Sequence, residues 1–148
     1  DNIVLPGFLA GLRPRPEVTA RGEELMERMG IDKLATSAVT EVSGGQLQRA
    51  GICRALINDP GIVFADEPTG ALNSATALQI LDLLGEIHAS GTTLVMVTHD
   101  SQVAARADRV LVLVDGQITE DLLLGRYEEA DGPSRLTAVT EALQRHSV

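Results

Sequence analysis

Residues 62–67 read Ile-Val-Phe-Ala-Asp-Glu and residues 93–98 read Thr-Leu-Val-Met-Val-Thr, two stretches that are mostly apolar. The segment between them, residues 75–89, carries apolar side chains at the i, i+3, i+4 and i+7 spacing of an amphipathic helix. A strand, a helix and a second strand in this order are typical of parallel strands that helices bury on both faces. A short helix predicted over residues 101–107 leads to a third apolar run, residues 110–114. The sequence therefore predicts an α/β fold built on a parallel sheet with flanking helices.

Further helices and turns are predicted on either side of these strands. Two prolines argue against a regular helix over residues 13–20, so we expect a helix from about residue 19 to residue 29. A second helix is expected over residues 44–57, and Asp115-Gly116 predicts a two-residue hairpin turn. A last amphipathic helix is expected over residues 134–146. On one side of that helix the sequence places Leu136, Val139 and Leu143.

Composition narrows the class of protein. Apolar residues make up 44% of the 148 residues, so the chain is expected to be folded rather than disordered. The net charge of −9 argues against nucleic-acid binding, which needs a basic face. Cys53 is the single cysteine, which excludes an internal disulfide and a cysteine-cluster zinc site, and we expect it in the core. No run approaches the 18 apolar residues that a membrane-spanning helix needs.

Two acidic residues, Asp66 and Glu67, follow directly after the first strand. Ligands of open α/β sheets bind at the carboxyl ends of the strands, so a site is expected there. One carboxylate could hold Mg²⁺ bound to phosphates while the other orients or deprotonates a water. Taken alone, the pair is also compatible with a polar loop in which Asp66 caps a turn.

Two further groups could meet phosphate. Ser43-Gly44-Gly45-Gln46 precedes a helix, and the free N–H groups of a helix N-terminus attract anions. His99 follows the second strand, where an imidazole could hydrogen-bond a terminal phosphate or an attacking water. Each has a simpler alternative: an ordinary capped helix for the first group, and a loop or cap residue for His99. We expect His99 at the same sheet edge as Glu67.

The three groups occur in a fixed order. The chain reads Ser43-Gly44-Gly45-Gln46-Leu47-Gln48-Arg49, then Asp66-Glu67-Pro68-Thr69-Gly70-Ala71-Leu72, then Thr98-His99-Asp100. In this order the chain resembles the nucleotide-binding subunit of ABC transporters, over nearly its whole length to about residue 120. The motif Asp-Glu-Pro-Thr-Gly at residues 66–70 is similar to that of exporter-type subfamilies that serve lipoprotein release and macrolide export. The resemblance implies a P-loop NTPase-like sheet with a helical signature subdomain.

The resemblance also implies ATP hydrolysis with Mg²⁺. Asp66 looks like the magnesium-associated Walker B aspartate, Glu67 like the catalytic base and His99 like the switch histidine. Residues 43–46 look like the signature motif, which in the family binds the γ-phosphate of ATP held mainly by the opposite subunit. Leu72-Asn73 falls in the D-loop of that site. The implied partners are a second nucleotide-binding subunit and a transmembrane permease, at the cytoplasmic face of the membrane.

The chain departs from the family pattern in several places. The phosphate-binding loop Gly-x-x-x-x-Gly-Lys-Ser/Thr occurs nowhere in the 148 residues, and the single lysine, Lys33, is followed by Leu34. The Gln-containing loop and the adenine-stacking aromatic are also absent. Val42 stands where the signature usually opens with leucine, and Asn73 where the D-loop usually has aspartate. We therefore expect the C-terminal part of a subunit, which alone would not form a stable ATP-binding monomer.

Two hypotheses about function follow. The first is an ATP-hydrolysing subunit of an exporter-type ABC transporter, and the alternative is a non-hydrolysing fragment that acts as an interaction module. A nucleic-acid-associated ATPase is disfavoured by the acidic charge. The chain is predicted to divide into a helical signature subdomain (1–57), the C-terminal part of the ATPase core (58–121) and a tail with a helix (122–148).

Overall fold

The computed structural model describes residues 1–145 of the chain. It contains six α-helices and four β-strands among these residues. In chain order they are α1 (Leu5–Ala10), α2 (Arg15–Arg28), α3 (Gly44–Leu56), β1 (Ile62–Asp66), α4 (Ser74–Ala89), β2 (Thr93–Val97), α5 (Ser101–Ala104), β3 (Arg109–Val114), β4 (Gln117–Leu123) and α6 (Gly132–Arg145). Short 3₁₀ helices cover Asp32–Leu34, Val39–Glu41 and Glu129–Asp131. The chain forms two compact units, Asp1–Met96 and a second that begins at Val97.

The first unit has an aliphatic core between α2, α3 and α4. Its largest fully buried side chains include Leu25 and Met29 at the end of α2, so this helix packs on the core through them. Cys53 of α3 is fully buried, as expected, and burial raises the pKa of its thiol to about 11. The core also contains Ile52, Leu56, Ile57, Ile80, Leu84 and Ile87.

Helix α2 begins earlier than predicted. It starts at Arg15, directly after Pro14, and Pro16 lies in its first turn. The prediction of a start at residue 19 is wrong because the first N–H groups of a helix have no intrahelical acceptor, so a proline there costs no hydrogen bond. Residues 15–20 are helical for this reason.

The strand pair β1–β2 is joined through α4, and a crossover helix of this length connects parallel strands. Side chains alternate along both strands: Val63 and Leu94 pack against the core, whereas Ile62 and Phe64 face outward. Phe64 is 77% exposed. The prediction of strands buried on both faces is therefore wrong for this unit, because its helices cover one face of the pair only.

The second unit is built on an antiparallel hairpin of β3 and β4. Asp115 and Gly116 form its turn with φ of 49° and 76°, the positive values of a type I′ turn, which confirms the predicted hairpin. The predicted short helix is also present, but α5 ends at Ala104.

Helix α6 begins at Gly132 rather than at residue 134. The side chains that it buries are Arg135, Val139 and Ala142, whereas Leu136 is half-buried and Leu143 is exposed, so the predicted face is wrong for Leu143. Arg135 belongs to the buried face because its guanidinium is satisfied there by hydrogen bonds to backbone carbonyls. The predicted end of this helix at residue 146 lies outside the described residues. Over the described part of the chain, every helix is too short or too polar to cross a bilayer.

Candidate functional site

Two acidic side chains follow the first strand of the α/β unit, as the sequence predicts. Asp66 is the last residue of β1 and is exposed, and Glu67 is half-buried in the turn that follows. The turn is closed by a hydrogen bond of 3.1 Å from the Gly70 N–H to the Glu67 carbonyl, and by one of 3.0 Å from the Leu72 N–H to the Thr69 carbonyl. This hydrogen-bonded turn places both carboxylates at the carboxyl end of β1.

The backbone of Glu67 has a conformation that sequence alone does not reveal. Its φ is 44°, in the left-handed region, where residues other than glycine, asparagine and aspartate are uncommon. A residue held there costs about 1–3 kcal/mol, and such strain concentrates at functional sites. Among the described residues with positive φ, Glu67 alone is neither glycine nor aspartate. The strain marks Glu67 as a candidate functional residue on grounds independent of its motif.

The carboxylate oxygens at this turn are suited to a Mg²⁺ ion that also binds the phosphates of a substrate. Mg²⁺ prefers hard oxygen ligands, and proteins usually hold it by one or two carboxylates together with substrate phosphates and waters. Asp66 and Glu67 supply carboxylate oxygens of this kind. Among residues 1–145 there is no group of three histidine, cysteine, aspartate or glutamate side chains that could hold a metal ion.

The Ser-Gly-Gly-Gln motif forms the start of α3. Ser43 is the N-cap, and its Oγ accepts a hydrogen bond of 3.3 Å from the Gln46 N–H. In return the Gln46 side-chain oxygen accepts a bond of 2.8 Å from the Ser43 N–H, which completes a capping box. The sequence-based alternative of a capped helix is therefore correct for the local structure, and it is compatible with phosphate binding at the same N–H groups.

A second helix start lies against the first. Asn73 caps α4, because its Oδ1 accepts a hydrogen bond of 3.0 Å from the Thr76 N–H. A Cβ added to Gly45 would lie 2.5 Å from Cγ2 of Thr76, and one added to Gly44 would lie 3.6 Å from Leu72. The structure thus brings Gly44 and Gly45 next to Leu72 and Thr76, although they are far apart in sequence.

This contact predicts that Gly45 and Gly44 differ in their tolerance of a methyl group. Gly45→Ala should destabilise the protein by about 1–3 kcal/mol more than Gly44→Ala, since a Cβ at Gly45 overlaps a β-branched neighbour. Both positions lie in the first turn of α3, so helix propensity affects them alike. Unfolding midpoints of the two variants in urea measure the difference. Equal midpoints would show that the two helix starts are not packed as described.

A cavity of about 240 Å³ lies between α3, β1 and α4 in the first unit. Apolar side chains form most of its lining, and Gln48, Arg54 and Asp66 supply polar groups. Asp66 therefore borders space that a ligand or another segment could enter.

His99 belongs to the second unit, in the loop between β2 and α5, and is exposed. The loop is shaped by Thr98, whose Oγ1 accepts a hydrogen bond of 3.1 Å from the Asp100 N–H, and by Asp100, which caps α5. Glu67 lies in the first unit, so the predicted meeting of His99 and Glu67 at one sheet edge stays a prediction.

Arg49 is a supporting residue to which sequence reasoning assigned no role. Its guanidinium donates to the Met29 carbonyl at 2.8 Å and to the Gln79 side-chain oxygen at 3.0 Å, so it ties α3 to the end of α2 and to α4. Its hydrogen-bond partners are distant in sequence, so no local sequence pattern predicts these contacts.

The fold and these sites define an α/β nucleotide-binding cassette, and comparison with known proteins specifies its family. Residues 2–70 match the ABC transporter family. The chain is 45% identical over 121 residues to a macrolide export ATP-binding/permease protein MacB of Rhodospirillum rubrum, and 41% identical over 142 residues to a MacB protein of Aeromonas hydrophila. These alignments cover 82% and 96% of the chain. The chain belongs to the ABC transporter family.

Solved structures confirm the predicted P-loop NTPase-type fold. The dimeric post-hydrolysis state of the ATP-binding cassette MJ0796, bound to ADP and Pi, has a TM-score of 0.63 and is 37% identical, covering 73% of this chain and 47% of that one. The protein cbiO1 of Clostridium perfringens, part of the transporter complex cbiONQ, has a TM-score of 0.75 and is 26% identical. It covers 96% of this chain and 54% of that one. The chain spans about a fifth of the length of the MacB relatives.

Proposed function

We propose that this chain is part of an ATP-hydrolysing subunit of an exporter-type ABC transporter. The subunit would act at the cytoplasmic face of the membrane, with a second nucleotide-binding subunit and a transmembrane permease as partners. The observation that carries the proposal is the strained, left-handed backbone of Glu67 directly after Asp66, at the carboxyl end of β1. Two adjacent carboxylates held in this way suit phosphoryl transfer to water.

In this mechanism the two carboxylates divide the work. Asp66 would help to hold Mg²⁺, which when bound neutralises charge on the phosphates. A carboxylate oxygen of Glu67 would accept a hydrogen bond from a water and take its proton as the water oxygen attacks the γ-phosphorus. The bond from the γ-phosphorus to the bridging oxygen breaks, and ADP and inorganic phosphate leave. The His99 imidazole would donate a hydrogen bond to a γ-phosphate oxygen.

The signature residues would complete the site of the opposite subunit. The Oγ of Ser43 already accepts the Gln46 N–H, so the hydroxyl proton can be donated to a phosphate oxygen. Gly44 and Gly45 would let the backbone N–H groups approach the γ-phosphate, and the helix dipole of α3 favours its charge.

The neighbouring start of α4 would add to the same site. Leu72 lies beside Gly44, and Asn73 caps α4, so both would line the interface between the two subunits. Asn73 is uncharged where the D-loop usually has aspartate, and its capping bond is the role that the structure supports for it.

The proposal of an exporter rests on the Asp-Glu-Pro-Thr-Gly motif and on relatives whose names describe macrolide export and a permease. In the family, the choice of transported substrate lies largely with the membrane partner.

A non-hydrolysing interaction module is the second candidate. It differs from the first in needing no Gly-x-x-x-x-Gly-Lys-Ser/Thr loop to cradle the β- and γ-phosphates, a sequence that does not occur in the 148 residues. The coding frame upstream of Asp1 separates the two, since such a loop there supports the ATPase and a stop codon supports the module.

The direct test measures phosphate release from ATP by the native full-length protein. We expect release that requires Mg²⁺ and is lost in EDTA, and no ATP binding by residues 1–148 alone. A full-length protein that neither binds nor hydrolyses ATP would support the interaction module instead.

A further inference from the structure

Arg135 of α6 is a buried cation held by carbonyl groups rather than by an acid. The residue is 6% exposed. Its Nε donates to the Ala105 carbonyl at 2.8 Å and one Nη donates to the Ala107 carbonyl at 2.6 Å. The two Nη atoms also reach three successive carbonyls after β4, at 2.9–3.3 Å, those of Leu124, Gly125 and Arg126.

Arginine is the one side chain that can make this set of bonds. Its guanidinium carries five N–H donors in a rigid plane and accepts none, so it can satisfy several carbonyls at once. The ring of Tyr127 lies 5.4 Å from the guanidinium carbon and adds a cation–π contact. Burying a charged guanidinium is costly unless hydrogen bonds satisfy it. The loop of residues 105–107 and the loop of residues 124–126 supply these carbonyls, so Arg135 holds the two loops to one another.

One of these loops, residues 105–107, is joined to His99 through the short helix α5. Asp100, the next residue, caps α5, and α5 is a single turn that ends at Ala104. A helix of one turn is not stable alone, so its position depends on contacts at its ends and beneath it. Arg135 holds its C-terminal end through Ala105, while Asp100 holds its start.

We propose that Arg135 is a positioning residue for His99, acting through α5. The proposal rests on the proposed function, because it assumes that His99 contacts the γ-phosphate. In this proposal the guanidinium of Arg135, on helix α6, determines where the loop that contains His99 lies in the second unit.

Two measurements on the native full-length protein test this. The first is hydrogen–deuterium exchange of Arg135→Met, which keeps an unbranched side chain and removes its hydrogen-bond donors and its charge. Exchange should rise in peptides covering residues 98–107 and stay unchanged in those covering 44–56. The matched control is Arg145→Gln, on the same helix as Arg135, which removes an ion pair with Glu120 of β4 and should leave residues 98–107 unchanged.

The second measurement is a double-variant cycle of ATP turnover. Arg135→Met should lower kcat about tenfold with little change in the KM for ATP, and Arg135→Met with His99→Ala should be no slower than His99→Ala alone. If Arg135→Met does not fold, Arg135→Lys serves, because its three donors cannot bridge both loops. Additive losses, or faster exchange confined to residues 124–131, would overturn the proposal. A wild-type protein without turnover would refute the proposed function, whereas the exchange result would still test Arg135.

Discussion

Glu67→Gln in the native full-length protein is expected to abolish ATP turnover while ATP-bound dimers accumulate. The amide keeps the size and the hydrogen-bonding reach of the side chain but cannot take a proton from water at neutral pH. Loss of a positioned general base typically costs about 10²–10⁴-fold in rate. Binding of ATP does not need the base, so the dimer that forms around ATP should persist. Phosphate release and size-exclusion chromatography with ATP measure the two effects.

The matched control is Glu86→Gln, on the exposed surface of α4 in the same unit. It removes the same charge from a residue outside the proposed site and should leave turnover unchanged. Hydrolysis by Glu67→Gln at the wild-type rate would remove Glu67 from the role of base.

Ser43→Asp is expected to lower turnover by about 10²-fold or more, because removing or opposing one donor to developing phosphate charge has effects of this size. Aspartate is as good an N-cap as serine, so the cap on α3 and the thermal stability should be retained. What changes is the charge at the helix start, where a carboxylate would repel the γ-phosphate. Turnover and the melting temperature separate the two effects.

Ser134→Asp is the charge-matched control, since it makes the same substitution in the first turn of α6. It should leave ATP turnover at the wild-type level. If Ser43→Asp hydrolyses ATP normally, or is unfolded, the proposed contact of Ser43 with phosphate loses its support.

Local features of the fold were predictable because short-range rules decide them. The cap residues Ser43 and Asn73, the strand beginning at Ile62 and the hairpin at Asp115-Gly116 all depend on a few neighbouring residues. The start of α2 was missed for a similarly local reason, since a proline costs little in the first turn.

Features that depend on distant residues were not predictable. A continuous apolar run such as residues 62–65 indicates a strand covered on both faces, so the exposure of Phe64 could not be foreseen from it. The inward turn of Arg135 is set by carbonyls 9–30 residues away. The left-handed backbone of Glu67 is likewise visible only in the structure.

Mixing Ser43→Asp protein with Glu67→Gln protein tests the central claim most directly, namely that one site is shared by two subunits. In a mixed dimer, one site contains Glu67 of the first subunit and Ser43 of the second, both intact, and the other site carries both substitutions. Two inactive proteins should therefore regain ATP turnover when mixed. If each subunit instead uses its own Ser43 and Glu67, every site in the mixture is defective, and the absence of any regained phosphate release would contradict the account.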